Sequence, residues 1–197
     1  MLLLEFFLLL CFFSLAQKIE PVKVVNKQNE KRANIFVNGK LFTSFIYTDT
    51  LEKPVLYPLT AANGTIVTRG FPLNPRPGEP TDHPHHLGMW LTYENVNGLD
   101  FWNNSFAIPQ EKRQLYGWIR TDSIIKVSDG TKGILQYHAN WINIQKEVLL
   151  EETTSFEFSG TSNLRMIDRI TILKADTEIN FADAKDGLLG IRVAHEL

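Results

Sequence analysis

Apolar and polar residues alternate along much of the chain. The segments "EETTSFEF" (151–158) and "RITILK" (169–174) carry this pattern, which is the period of a strand with one dry and one wet face. In "NIFVNGKLFTSFIY" (34–47), Asn38-Gly39 sits between two runs of β-formers, and this predicts a hairpin closed by a two-residue turn. Strand-like runs continue through "SIIKV" (123–127), "GILQYHANWINI" (133–144), "EVLLEETTSFEFSG" (147–160), "NLRMIDRITILKA" (163–175), "TEINFAD" (177–183) and "LGIRVAHEL" (189–197). Turn-forming residues part them at Asp129-Gly130, Gly160, Asp176 and Asp186-Gly187. No window holds a helical period over ten residues. The pattern predicts an all-β fold, a large antiparallel β-sandwich.

Two regions depart from the pattern. The first sixteen residues, "MLLLEFFLLLCFFSLA", are an apolar run ending in small residues, which reads as a signal peptide that is cleaved rather than a membrane span. This divides the chain into a signal at 1–16 and one domain at 17–197, exported to the periplasm or the extracellular space. From about 52 to 112 the sequence holds eight of the nine prolines and few long strands. Long irregular segments in a compact domain are mostly functional loops, and the aromatic residues within this one predict that it packs onto the sheet. The last segment, "GIRVAHEL", stops on an alternating pattern, so the domain is expected to be the N-terminal part of a longer one.

Composition narrows the partners. Cys11 is the only cysteine and belongs to the signal, leaving no disulfide framework and no thiol chemistry. The formal net charge is −2 and basic residues are not clustered, which argues against nucleic acid. Past residue 16 nothing is apolar for long enough to span a bilayer, so no membrane partner is expected after signal cleavage.

Candidate chemistry gathers in "TDHPHHLGMW" (81–90). Pro84 biases His83 towards an extended conformation, and in an extended run His83 and His85 point to one side while His86 points to the other. With Asp82, the pair His83 and His85 could bind a divalent metal. The histidines could equally move protons near neutral pH, or simply order a loop. "WLTYENVNGLDFWNN" (90–104) follows. Its Trp90 and Trp102 offer flat faces for a sugar ring, and Glu94, Asn97 and Asp100 offer polar partners for hydroxyls. Asn97-Gly98 also reads as a turn. Arg69, ahead of Gly70, could clamp a substrate carboxylate or pair with Asp82 or Glu94. His195, among aliphatic residues, reads as a core histidine.

The segments "YPLTAANGTIVTRGFP", "DHPHHLGMW", "NVNGLDFWN" and "AKDGLLGIRVA" together resemble the PmoA-like proteins, secreted bacterial proteins of unknown function often labelled methane oxygenases. The resemblance implies a supersandwich of galactose-mutarotase-like architecture, with His83, His85 and His86 at its sugar site. It does not carry methane oxygenation, which in the membrane-bound enzyme needs spanning helices. The reading that results is an exported carbohydrate-active protein, a hydrolase, lyase or isomerase, acting on a sugar or sugar derivative. In it His83, His85, His86, Glu94 and Asp100 are the catalytic candidates, and Arg69, Asp82, Trp90, Asn97 and Trp102 bind substrate. The alternatives are a metal-dependent enzyme using the same histidines and a non-catalytic binding or scaffolding sandwich.

Overall fold

A computed structural model describes residues 18–195 and residue 197; the expected signal peptide and Glu196 lie outside the described residues. The strands in chain order are β1 (Val22–Lys27), β2 (Arg32–Val37), β3 (Lys40–Ile46), β4 (Val55–Leu56), β5 (Met89–Tyr93), β6 (Trp118–Ser128), β7 (Gly133–Ile142), β8 (Val148–Gly160), β9 (Arg165–Lys174) and β10 (Gly187–Ile191). Two short 3₁₀ turns, Gln28–Glu30 and Gln110–Leu115, are the helical elements among them. The strands form a six-stranded sheet in the order β1-β2-β3-β4-β5-β10 and a four-stranded sheet in the order β6-β7-β8-β9. All the strand pairs are antiparallel, and the two sheets pack as a sandwich.

The predicted hairpin forms as the turn chemistry dictates. Asn38 and Gly39 have φ of 50° and 73°, the left-handed pair that matches the twist of the flanking strands, and Val37 pairs with Lys40 across it. Period-two burial orients the sheets. Leu135, Tyr137, Ala139 and Trp141 of β7 are buried, and so are Phe156 and Phe158 of β8. They meet Ile35, Val37 and Phe45 from the larger sheet in one core. Phe45 stacks on Tyr137 with ring centroids 4.5 Å apart.

One carboxylate lies inside this core. Glu152 on β8 is 1% exposed and accepts hydrogen bonds from Tyr137 Oη (2.6 Å), Trp141 Nε1 (2.8 Å), Thr154 Oγ1 (2.7 Å) and Arg169 Nη2 (2.9 Å). A buried charge is tolerated only when its partners replace water, and here both oxygens are satisfied.

The six-stranded sheet is covered on its other face as well. Alternation along β5 sends Met89, Leu91 and Tyr93 towards the sandwich core. Trp90 instead joins Ile46, Val55, Tyr57, Leu87 and Trp102 in a second buried cluster. The proline-rich segment supplies most of that cluster, so it packs onto the sheet as its aromatic content predicts. The sequence pattern errs at two strand-like runs. "TEINFAD" forms only a single bridge, Phe181 with Val96. β10 ends at Ile191, after which Val193 bridges to Thr68 and Ala194 N–H donates to the Val67 carbonyl. The chain after β10 therefore runs beside the loop that carries Arg69.

Candidate functional site

Residues 83–86 form a tight turn rather than an extended run. His86 N–H donates to the His83 carbonyl at 3.0 Å, with Pro84 in the second position, where its fixed φ suits a turn. His83 adopts φ of 48°, so the extended conformation expected ahead of Pro84 does not occur. The consequence reverses the expected split, because the turn gathers all three imidazoles. His83 stacks on His86 at 4.9 Å with 9° between planes, and His86 stacks on Trp90 at 5.2 Å. His85 meets His86 edge-on at 4.3 Å. Gly190 of β10, opposite Trp90 in the register, makes room for the base of this column, since a Cβ there would lie 2.4 Å from the indole.

Asp82 organises the polar side. Its Oδ1 accepts from Arg69 Nη1 (2.7 Å) and Arg192 Nη2 (3.1 Å), and its Oδ2 pairs with His83 Nδ1 at 2.5 Å. The hydrogen bond from His83 and the charge of Arg192 hold the Asp82 carboxyl below the usual range, against a smaller cost of burial. An ionised carboxylate only accepts, so His83 Nδ1 carries the proton and Nε2 is left for other partners. Of the two pairings open to Arg69, the structure takes Asp82. The Arg69 side chain is 1% exposed and also donates to the carbonyls of Pro80 and His83, clamping both ends of the 80–83 segment. Glu79, buried just upstream, accepts from the Gly70 N–H and from Arg76, fixing the loop that leads in.

The sequence gives no sign of the residue beneath the column. Lys53 is 1% exposed; its Nζ donates to the Trp102 carbonyl at 2.7 Å and lies 5.6 Å from the Trp90 ring centre. Burial lowers its pKa to about 7, with Glu52 and Asp100 opposing the shift. Burial also lowers His85 to about 3 and His86 to about 4, helped by the charges of neighbouring histidines, Lys53 and the arginines. At pH 7 both imidazoles are therefore neutral, and each can donate and accept at once. Lys53 carries a measurable signature. Between about 7 and its ordinary 10.5 the unfolded chain holds a proton that the folded protein does not, so stability rises with pH across that window. Between pH 7 and 9, wild type should gain in urea midpoint relative to Lys53→Met; parallel curves would show that the amine is not held neutral.

The downstream candidates serve the loops rather than the histidine turn. Asp100 Oδ1 accepts from the N–H groups of Trp102 (2.9 Å) and Asn103 (2.8 Å), and Oδ2 accepts from the Asn103 amide. Burial raises its pKa. Glu94 Oε2 accepts from Asp186 N–H at 3.0 Å. Asn97, at φ of 51°, makes the predicted turn with Gly98, and its Oδ1 accepts from Asn180 N–H at 2.7 Å. Trp90 and Trp102 are 2% and 8% exposed. They are internal supports for His86 and Lys53, not open walls for a sugar ring. His195 is exposed rather than in the core, because the chain has left the sheet four residues earlier. Among the described residues no group of three or more His, Cys, Asp or Glu side chains is placed to hold a metal ion.

A family model described as "Family of unknown function (DUF6807)" matches residues 32–197. The chain belongs to that family. This corrects the PmoA-like resemblance: the segments that carried it all lie within the matched span, and the family they mark is DUF6807. No curated protein and no solved structure matches the DUF6807 chain. The family's function is unknown, so any reading of this DUF6807 domain has to come from the geometry of the 82–86 turn and its surroundings.

Proposed function

We propose that this DUF6807 protein is exported and carbohydrate-active, taking a sugar or sugar derivative over the histidine turn with His83 as the proton-transfer group. The observation that carries the reading is the Asp82–His83 pair. A half-exposed imidazole is oriented through Nδ1 by an ionised carboxylate, which a buried arginine in turn holds. This presents Nε2 to solvent, the arrangement general acid–base chemistry requires. His85 and His86, neutral at pH 7, suit hydroxyl groups because each hydroxyl also donates and accepts. Export rests on the signal-like residues 1–16.

The test is turnover of a panel of mono- and oligosaccharides followed by proton NMR of the products. His83→Gln should lower kcat by roughly 10²–10⁴-fold while thermal unfolding stays near that of wild type. Unchanged turnover in this variant would move the centre elsewhere. Saturable sugar binding without any product would favour a non-catalytic binding sandwich instead.

A further inference from the structure

We infer that the cavity between Arg69, Arg192 and His195 is a carboxylate-binding subsite, so that the ligand of the histidine turn is an acidic sugar. This deepens the carbohydrate reading and rests on it for the word sugar, though not for the word carboxylate.

The cavity measures about 270 Å³ and is lined by Arg69, Pro80, Ile191, Arg192, Val193, Ala194 and His195. Among the described residues no acidic side chain lines it. Two guanidinium groups reach its wall, and both spend a donor on the same oxygen of Asp82. Asp82 gives its other oxygen to His83. The nearby Glu79 is engaged by Arg76 and the Gly70 N–H. One carboxylate therefore serves two arginines, and one guanidinium charge is left uncompensated among the described residues. Arg69 Nε, moreover, is buried with no hydrogen-bond partner. Arg69 is otherwise matched by Asp82 and by the Pro80 and His83 carbonyls, so the unmatched charge is that of Arg192, whose side chain is 30% exposed and open to an incoming anion.

Size and lining say what completes it. Whole-ligand pockets run to about 300–1,000 Å³, so this volume takes a charged group and the carbons beside it rather than a full oligosaccharide. Ile191 and Val193, each 49% exposed, supply an apolar flank, and His195 stands exposed on the lining. Arg69 and Arg192 meet at Asp82, which is bonded to His83. Neither Asp82 nor His83 lines the cavity, so a ligand anchored here by its carboxylate must extend its remaining carbons past the arginines to meet the Asp82–His83 pair. Uronic acids join these two requirements, a carboxylate on one ring carbon and hydroxyls on the next.

The probes are D-glucuronate, its uncharged methyl ester, D-glucose and L-lactate, titrated into the purified full chain by calorimetry and by NMR of the arginine side chains. Glucuronate should bind wild type at least tenfold more tightly than its ester or glucose. That preference should collapse towards unity in Arg192→Gln and survive in part in Arg192→Lys. Equal affinity for glucuronate and its ester, a preference undiminished in Arg192→Gln, or no binding of either carboxylate overturns the subsite. The ester comparison needs no variant, so a folding defect in the substitutions cannot decide the matter. Lactate bound through Arg192 with no response to any sugar would uphold the carboxylate subsite while ending the carbohydrate reading.

Discussion

Glu152→Ala should lower the free energy of unfolding by about 3–5 kcal/mol, the usual cost of removing one partner from a buried ion pair. Four donors converge on this carboxylate, from Tyr137, Trp141, Thr154 and Arg169. Alanine strands them all in the interior between the sheets. The Arg169 side chain is only 12% exposed, so water cannot replace the lost partner without opening β9. The control is the double variant Glu152→Leu with Arg169→Met. An apolar replacement of both members removes the unpaired charge, so it should recover part of the loss, the remainder reflecting Tyr137, Trp141 and Thr154 left without their acceptor. Urea unfolding at pH 7 reads both variants. A single-variant loss under about 1 kcal/mol would show that water reaches the network.

A second large effect is expected from backbone geometry alone. Gly88 links the histidine turn to β5 at φ of 59°, and a Cβ there would lie 2.3 Å from the Leu56 carbonyl oxygen and 3.0 Å from Tyr57 Cβ. The left-handed backbone alone costs a non-glycine residue about 1–2 kcal/mol. The overlap adds about 1–3 kcal/mol, because the atom in the way is backbone and cannot rotate aside. Gly88→Ala should therefore destabilise by about 3 kcal/mol, seen as a lower urea midpoint. It should also weaken ligand binding, since the displaced strand carries Trp90, on which His86 stacks. A variant with wild-type stability and binding would mean that the 87–89 backbone has slack that the close contact with Leu56 conceals.

The sandwich was legible where burial acts on one face at a time. β7 and β8 each bury one side, so their side-chain chemistry alternates and the strands can be read directly; on β9 the period holds but the faces are reversed, with Ile170 and Ile172 exposed and Arg169 and Thr171 turned inward. β5 cannot be read this way. Both its faces are covered, by the sandwich core and by the proline-rich segment, and Met89-Trp90-Leu91-Thr92-Tyr93 shows no wet side. The candidate site divides similarly. Asp82 and the three histidines were found because they are neighbours in sequence. Their arrangement was misjudged, because the bias that Pro84 places on His83 is overridden by the turn hydrogen bond and by the grip of Arg69 on the Pro80 and His83 carbonyls. Lys53 and Arg192 were out of reach for a different reason. Nothing local marks them, and their roles arise from Trp102 and Asp82, which only the folded chain brings near. Trp90 and Trp102 stand out in the sequence, but their burial does not, since an aromatic side chain looks the same in sequence whether it faces a ligand or supports a histidine.

The double covering of β5 bears on how the site behaves when the molecule fluctuates. Ligand-binding loops usually belong to the parts of a protein that open most readily. The histidine turn rests instead on an inner strand of the larger sheet, so freeing it means parting that sheet from the layer laid over it. Its geometry is then a property of the whole domain rather than of a hinge. Under the proposed function a ligand would meet a recess already shaped before it arrives, and whatever loosens the sheet would loosen the grip on the ligand with it.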